Sequence, residues 1–256
     1  MASLLTPFLP QNHEMTSDDW CRYVAGMDPA DAVSAEVQRF AGLVAGDQAS
    51  TPLDRTALTI AAVLRSSVDV DEAITMLDVL AADCPSPTFE GLRRHLYDDL
   101  GFGGDAEHYD DPRNSFLDLV LARRRGLPIL LGVVAIEVGR RIGVPVEGVN
   151  FPLHFLVRSG DDPEALLDPF TGLALDPSGA SALLEHVSGG SVPWDDRHLR
   201  AVPARLIIVR MLTNLQASYR RRHDAVGAAL VARLRANVPE LAGEASSAIR
   251  LGAVFN

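Results

Sequence analysis

His154 and Asp168 stand fourteen residues apart in the stretch RRRGLPILLGVVAIEVGRRIGVPVEGVNFPLHFLVRSGDDPEALLDPF, which runs from Arg123 to Phe170. An imidazole changes charge near neutral pH, and a carboxylate can fix its tautomer and orientation. A His–Asp couple is therefore the base half of a nucleophile–His–acid triad. The segment RSGDDPE between them carries Gly, Asp and Pro, as a hairpin loop should. This predicts neighbouring strands with the two side chains hydrogen-bonded directly or through one water. A triad also needs an activated thiol or hydroxyl. The apolar helix ahead of His154 has none at its start, since Gly126 to Leu131 contains no Cys, Ser or Thr. Ser115 is the nearest hydroxyl, and its spacing to Asp118 assigns it to a capping box. The plain structural alternative is that His154 is a hydrogen-bonded core residue, and that Asp168 holds it or caps the turn before Pro169.

A second constellation is DPRNS. Arg113 is able to clamp a carboxylate or phosphate with two parallel hydrogen bonds. Its structural alternative is a tie to an acidic neighbour, with Asn114 capping a helix; that alternative is preferred here. Arg123, Arg124 and Arg125 close a helix, where cations suit the dipole. The run YRRRHD, Tyr219 to Asp224, reads as a solvated face. Metal signals are thin: His95 and Asp99 share a helix face, and His108, Asp110 and Asp111 cluster in EHYDD. Neither set supplies the three or four convergent ligands of a site, so no metal is expected. No phosphate loop with its lysine and no dinucleotide fingerprint occurs, so no cofactor is expected.

The elements that must position these residues fall into three regions. Residues 1–103 read as a helical region, with successive helices from residue 17. Thr51-Pro52-Leu53-Asp54 predicts an N-cap and a Pro at the first helical position. Asp69 with Glu72, and Thr88, predict two further starts, and Gly101 a stop. Residues 104–200 hold a Gly- and acid-rich connection, a helix from Ser115 or Asn114 to a stop at Gly126, and a helix from Pro128. The last is apolar nearly all round, so it should be the buried centre, with Gly132 and Gly139 allowing close neighbours. Val144–Val149, His154–Val157 and Ala165–Leu167 predict a small antiparallel sheet, and Ala180–His186 a short helix. Residues 201–256 are helical, with Ile207, Ile208, Met211, Leu212 and Leu215 on one face and Ala228, Ala229, Leu230 and Leu234 on another. Pro239 separates a last helix. The fold class is α+β.

Composition bounds the function. An apolar fraction of 47% and a charged fraction of 22% belong to a globular protein, and no apolar run is long enough to span a membrane. MASLLTPFLPQ lacks a basic region and an apolar core, so a cytoplasmic location is expected. Two cysteines, Cys21 and Cys84, make no disulfide framework. The net charge of −11 disfavours nucleic acid as a partner. Residues 201–256 carry 8 Arg and 3 acids, against 15 Arg and 31 acids before them, and the chain has no Lys. The basic tail can dock on the acidic remainder or on a protein partner.

DPRNSFLDLVLARRRGLPILLGVVAIEVGRRIGVPVEGVNFPLHFLVR followed by LDPFTG resembles the SirB-type branch of the transglutaminase-like superfamily, densely over Asp111 to Gly172. RLIIVRMLTNLQASY resembles that family's helical tail, itself similar to a tetratricopeptide unit. The resemblance implies a papain-like core with a Cys at the start of a buried helix, a His on the next strand and an Asp or Asn on the one after. Helix dipole and imidazole would lower the thiol pKa. His154 and Asp168 match the last two positions. The Cys position falls near Pro128 and is empty of any thiol, and Cys21 and Cys84 precede the core. The expectation is a pseudoenzyme: a binding or regulatory module that keeps His154 and Asp168 as a relic. The alternatives are a hydrolase or acyltransferase with an unorthodox nucleophile, and a His/Asp acid–base or metal-assisted enzyme.

Overall fold

The computed structural model describes residues 29–65 and 67–241. Cys21, the chain from residue 17 to 28 and the helix expected after Pro239 lie largely or wholly outside these residues. Three helices come first among the described residues: α1 (Pro29–Val44), α2 (Leu53–Leu64) and α3 (Val70–Ala82). α3 starts as expected, with the Asp69 carboxylate accepting from Glu72 N–H. α2 does not. Pro52 flanks it without a side-chain cap, Thr51 donates to the Asp47 carbonyl instead, and Asp54 is buried in an ion-pair network. α4 (Phe89–Arg93), capped by Thr88 on Gly91 N–H, widens into a π turn through Asp99. Gly101 then turns the chain at φ 71°.

The connection after Gly101 is not plain loop. β1 (Gly103–Gly104) pairs in parallel with β2 (Arg125–Gly126). Between them lie a 3-10 turn (Pro112–Ser115) and α5 (Leu117–Arg123). The expected capping box does not form. The 3-10 turn runs up to α5, Phe116 flanks it, and neither Ser115 nor Asn114 caps it. Asp118, the other half of that motif, is drawn off to Arg65 at 2.5 Å. α5 also stops before Gly126, at Arg124 with φ 55°.

α6 (Pro128–Ile142) has the bounds its Pro start and Gly143 stop predict, and Gly143 sits at φ 75°. From Pro128 to Gly139 all but Ile136 are buried. It lies on a five-stranded antiparallel sheet of β3 (Val146–Val149), β4 (Leu156–Ser159), β5 (Leu166–Asp168), β6 (Leu173–Leu175) and β7 (Ala201–Val202), in the order β6-β5-β4-β3-β7. Alternation along the strands splits the core. Phe155, Val157 and Leu167 face α6 and the main core. Val149, Leu156 and Leu166 face α7 (Pro177–Ser188), where Phe151, Ala180 and Leu184 complete a second cluster. α7 starts three residues before the expected helix because Asp176 caps it on Gly179 N–H.

His154 corrects the expected strand. β4 begins at Leu156, and residues 150–155 form a turn. Pro152 has no N–H for a ladder, Leu153 takes φ 58°, and His154 N–H donates to the Phe151 carbonyl at 3.2 Å.

α8 (Ala204–Arg221) and α9 (Ala225–Arg235) form a helical hairpin. α8 buries the expected face. α9 buries Gly227, Val231 and Leu234 and leaves Ala229 exposed, so its inner stripe differs from the expected one. That stripe is set by contact with Tyr219, which leaves no room for a Cβ at Gly227. The hairpin packs back on α1 and α2. Arg205, buried, donates to the Val44 and Gly46 carbonyls and pairs with Glu240 at 2.8 Å. The main core accordingly joins residues from Val37 to Leu241 in one cluster. No helix among the described residues is long and apolar enough to cross a membrane.

Gly132 and Gly139 set the distance of α6 from the sheet. A Cβ on Gly132 would lie 2.6 Å from Cε1 of buried Phe155, and one on Gly139 2.6 Å from Val146. In Gly132→Ala the helix gains about 1 kcal/mol of propensity, against ~1–3 kcal/mol for overpacking a ring that cannot retreat. The expected result is a net loss of stability, read as a lower urea midpoint at unchanged slope. Adding Phe155→Leu should restore part of it. A Gly132→Ala protein more stable than the parent would show that the seam is loose.

Candidate functional site

Asn114 organises the approach to the site. Its side chain is fully buried; Nδ2 donates to the His108 carbonyl at 2.9 Å, and Oδ1 accepts from Arg123 at 3.0 Å. Arg123 continues to Asp105 at 3.1 Å. The Asn114 carbonyl accepts from Leu127 N–H at 3.0 Å, the residue that flanks α6. The loop before the 3-10 turn and the start of α6 are thereby fixed to each other. Arg113 pairs with Asp111 at 2.5 Å, the structural role preferred from sequence, and holds that carboxyl down at about 2. Arg125 donates to the Gly101 carbonyl, braces the β1–β2 pair and does not line the His154 cleft.

His154 and Asp168 meet as expected. Nε2 lies 2.7 Å from Asp168 Oδ1, with both side chains nearly buried at 10% and 4% exposure. The same oxygen accepts from Phe170 N–H, and Oδ2 accepts from the Thr171 hydroxyl at 2.7 Å. Burial alone would raise the Asp168 pKa, but the His154 ring, Thr171 and the Phe170 N–H together hold it below the ordinary carboxylate value. Phe170 stands edge-on to the His154 ring at 6.2 Å, and Tyr109 packs on Phe170 at 5.9 Å. Tyr97 is buried, and its phenol is pushed up by that burial and by the Asp168 charge.

The space beside His154 is a cleft of about 380 Å³ between the start of α6 and one face of α8. Leu127, Pro128 and Ile129 line one wall, and no thiol does so among the described residues. Cys84 follows α3, where its thiol donates to the Ser86 carbonyl. Ser115 also lines the cleft, and its hydroxyl makes no hydrogen bond among the described residues. Leu153 stands at the rim, 64% exposed at φ 58°, a backbone region that strains a branched residue.

The opposite wall was missed from sequence. It is formed by Arg210, Asn214, Ala217, Ser218 and Arg221, with Tyr109, Asp110 and Asp111 completing the cleft. The signal was available: these α8 positions recur at helical spacing beside the buried Ile207–Leu215 face and make a second, polar stripe. Arg210 is partly buried. Its Nη1 donates to the Phe151 carbonyl at 2.8 Å and to Asn150 Oδ1, and its guanidinium lies 6.0 Å from the Phe155 ring. Burial lowers its pKa, although Tyr109 offsets this in part, and it makes no ion pair among the described residues. Arg221, exposed as the reading of YRRRHD as a solvated face expects, lies 3.5 Å from Asp110.

A family model described as the transglutaminase-like superfamily matches residues 48–213, and the chain belongs to that superfamily. It is 47% identical over 136 residues to a UPF0162 protein of Xylella fastidiosa, covering 50% of this chain and 47% of the relative. A UPF0162 protein of Pseudomonas aeruginosa is 34% identical over 168 residues, covering 64% of this chain and 59% of the relative. F-box only protein 21 of mouse is 36% identical over 102 residues, covering 40% of this chain and 16% of that protein. The aligned region spans about half the length of the UPF0162 relatives. No solved structure matches.

The Asp168 pairing has a pH signature. A carboxyl held below its unfolded value of 3.8 adds stability above that pH and loses it as pH falls through the folded value. Asp168→Asn should therefore be less stable than the parent at pH 7, by ~1–3 kcal/mol for the lost charged acceptor. The difference in urea midpoints should shrink as pH falls below about 4. A gap that stays constant down to the acid transition would remove the ionised Asp168 carboxylate from the account.

Proposed function

We propose that this superfamily member is a non-catalytic binding or regulatory module, which takes a ligand or protein segment in the cleft beside His154. The observation that carries the reading is the composition of the α6 start. Where an acyl-transfer enzyme of this plan would place a thiolate, the cleft has Leu127, Pro128 and Ile129. Acid–base assistance by His154 and Asp168 alone is worth only ~10²–10⁴-fold, which does not replace a nucleophile. In this reading the pair ties the turn holding Leu153 to β5, and so shapes the cleft. The α8–α9 hairpin, with Val226 73% exposed, offers a tetratricopeptide-like surface for a protein partner. The low cysteine content fits a cytoplasmic setting.

One observation favours a second reading. The unbonded Ser115 hydroxyl lines the same cleft as His154, as an unorthodox nucleophile in a hydrolase or acyltransferase would.

A pair of probes separates the two. Purified protein is treated with a fluorophosphonate and with a thiol electrophile, beside Ser115→Ala, Cys21→Ala, Cys84→Ala and His154→Ala variants. Ester and amide hydrolysis and amine transfer are followed in parallel. The module reading expects no His154-dependent labelling and no turnover above buffer. Stoichiometric labelling of Ser115 or of either cysteine that disappears in His154→Ala replaces it with the enzyme reading.

A further inference from the structure

The cleft has a charge that the protein leaves unanswered. Four ionic groups line it besides His154. Asp110 faces Arg221, and Asp111 is taken by Arg113 from outside the cleft. Arg210 alone among these has no oppositely charged partner within the described residues. Its fixed nitrogen is Nη1, which both of its hydrogen bonds use. The Nε and Nη2 edge makes no hydrogen bond among the described residues. A guanidinium held by one nitrogen, with the other two donors free side by side, presents the fork that a carboxylate fills with two parallel bonds. A partly desolvated cation beside an aromatic ring gains more from such a partner than a surface arginine does.

The remaining lining limits the anion. Asp110 and Asp111 also line the cleft, and Arg221 already faces Asp110, so a second negative charge on the ligand has no unpaired cation to meet among the described residues. Leu127, Pro128, Ile129 and Phe155 supply apolar wall, and Leu153 offers an uncovered apolar side chain at the rim. Asn214 and Ser218 add polar groups that make no side-chain hydrogen bond within the described residues. A volume of about 380 Å³ lies at the small end for ligand sites.

We propose that the cleft binds a small apolar monocarboxylate, with its carboxylate on the Nε–Nη2 edge of Arg210 and its apolar part over Ile129 and Leu153. The inference rests on the binding-module reading and names that site's ligand class. The carboxylate is either that of a free organic acid or the C-terminus of a peptide ending in an apolar residue.

The test is calorimetric titration of the full chain with isocaproate, with N-acetyl-Gly-Leu, with the amide of each, and with inorganic phosphate. Charge-assisted hydrogen bonds to Arg210 predict that each acid binds about tenfold or more tighter than its amide, and that phosphate does not compete. Arg210→Gln should remove the preference for the acid. Because Arg210 also holds Asn150 and Phe151, Asn214→Asp serves as a second variant. It adds a negative charge to the cleft without breaking those bonds, and should weaken acid binding alone. Tighter binding of N-acetyl-Gly-Leu than of isocaproate assigns a peptide C-terminus, and the reverse order a free acid. Absence of acid binding, equal binding of acid and amide, stronger binding of phosphate, or an acid affinity unchanged in Asn214→Asp overturns the inference. Equal binding of acid and amide does so while leaving the binding module standing. His154-dependent turnover would remove the module and leave the acid–amide comparison valid.

Discussion

Burying nearly the whole circumference of α6 constrains nearly everything else in the chain. A helix that is apolar on every face has to be enclosed on every face. The sheet covers one side, and Gly132 and Gly139 let Phe155 and Val146 approach to a distance that a methyl group would forbid. α3 and α5 cover others. The one acid in its interior, Glu137, is 3% exposed and pairs with Arg140 at 2.9 Å and Arg141 at 2.7 Å. Burial, reinforced by the Asp54 charge, pushes the Glu137 carboxyl up, against the pull of the two arginines. Arg141 also bonds Asp54 on α2 and Asp78 on α3 at 2.7 Å each. A buried network of this kind adds little net stability, but losing one partner strands a charge and costs ~3–5 kcal/mol. It therefore fixes which way α6 faces its helical neighbours more than how strongly it adheres to them.

That orientation decides what the site contains. With the C-terminal half of α6 clamped to α2 and α3, and Leu127 N–H held by Asn114, the Pro128 end has a single direction. It points into the cleft beside the turn that carries His154. The cleft's other wall belongs to α8, which is anchored independently through buried Arg205 to the end of α1. Two rigid supports, set by different interactions, thus hold the two sides of one small space. Such support is what a preorganised binding site requires.

The parts read from sequence are those with local signals. α6 appears with its bounds because Pro128, Gly143 and a continuous apolar run all act within the helix itself. The His154–Asp168 contact is legible because one loop of Gly, Asp and Pro can join only neighbouring strands. The errors have a common cause. Ser115 with Asp118 has capping-box spacing, yet Asp118 spends its carboxylate on Arg65, fifty-three residues away in sequence. Gly126 looks like a helix stop, yet it is required for the close approach of Val120. His154 looks like a strand residue until Pro152 and the left-handed Leu153 are taken together. In each case a distant partner or backbone constraint overrides a local preference, and a single sequence does not display it. Arg210 is the intermediate case: its polar stripe is visible, but that the stripe faces His154 is a fact of tertiary packing alone.

The electrostatics of the cleft then separate two roles that the sequence places on one pair. Asp168 already accepts from His154, Phe170 N–H and Thr171, so its charge is largely satisfied inside the protein. A satisfied carboxylate orients its histidine and fixes the turn around Leu153, which is a structural task. Arg210 is the reverse case. Its bonds go to neutral acceptors, Asn150 and a carbonyl, which position the guanidinium without cancelling its charge. Asp110, which lines the same cleft, lies 3.5 Å from Arg221. Among the described residues, the unpaired cation in the cleft thus comes from the α8 wall, and part of the cleft's shape from the His154 turn. In the proposed binding reading, recognition in this cleft draws on both walls, and the His154–Asp168 pair contributes the shape.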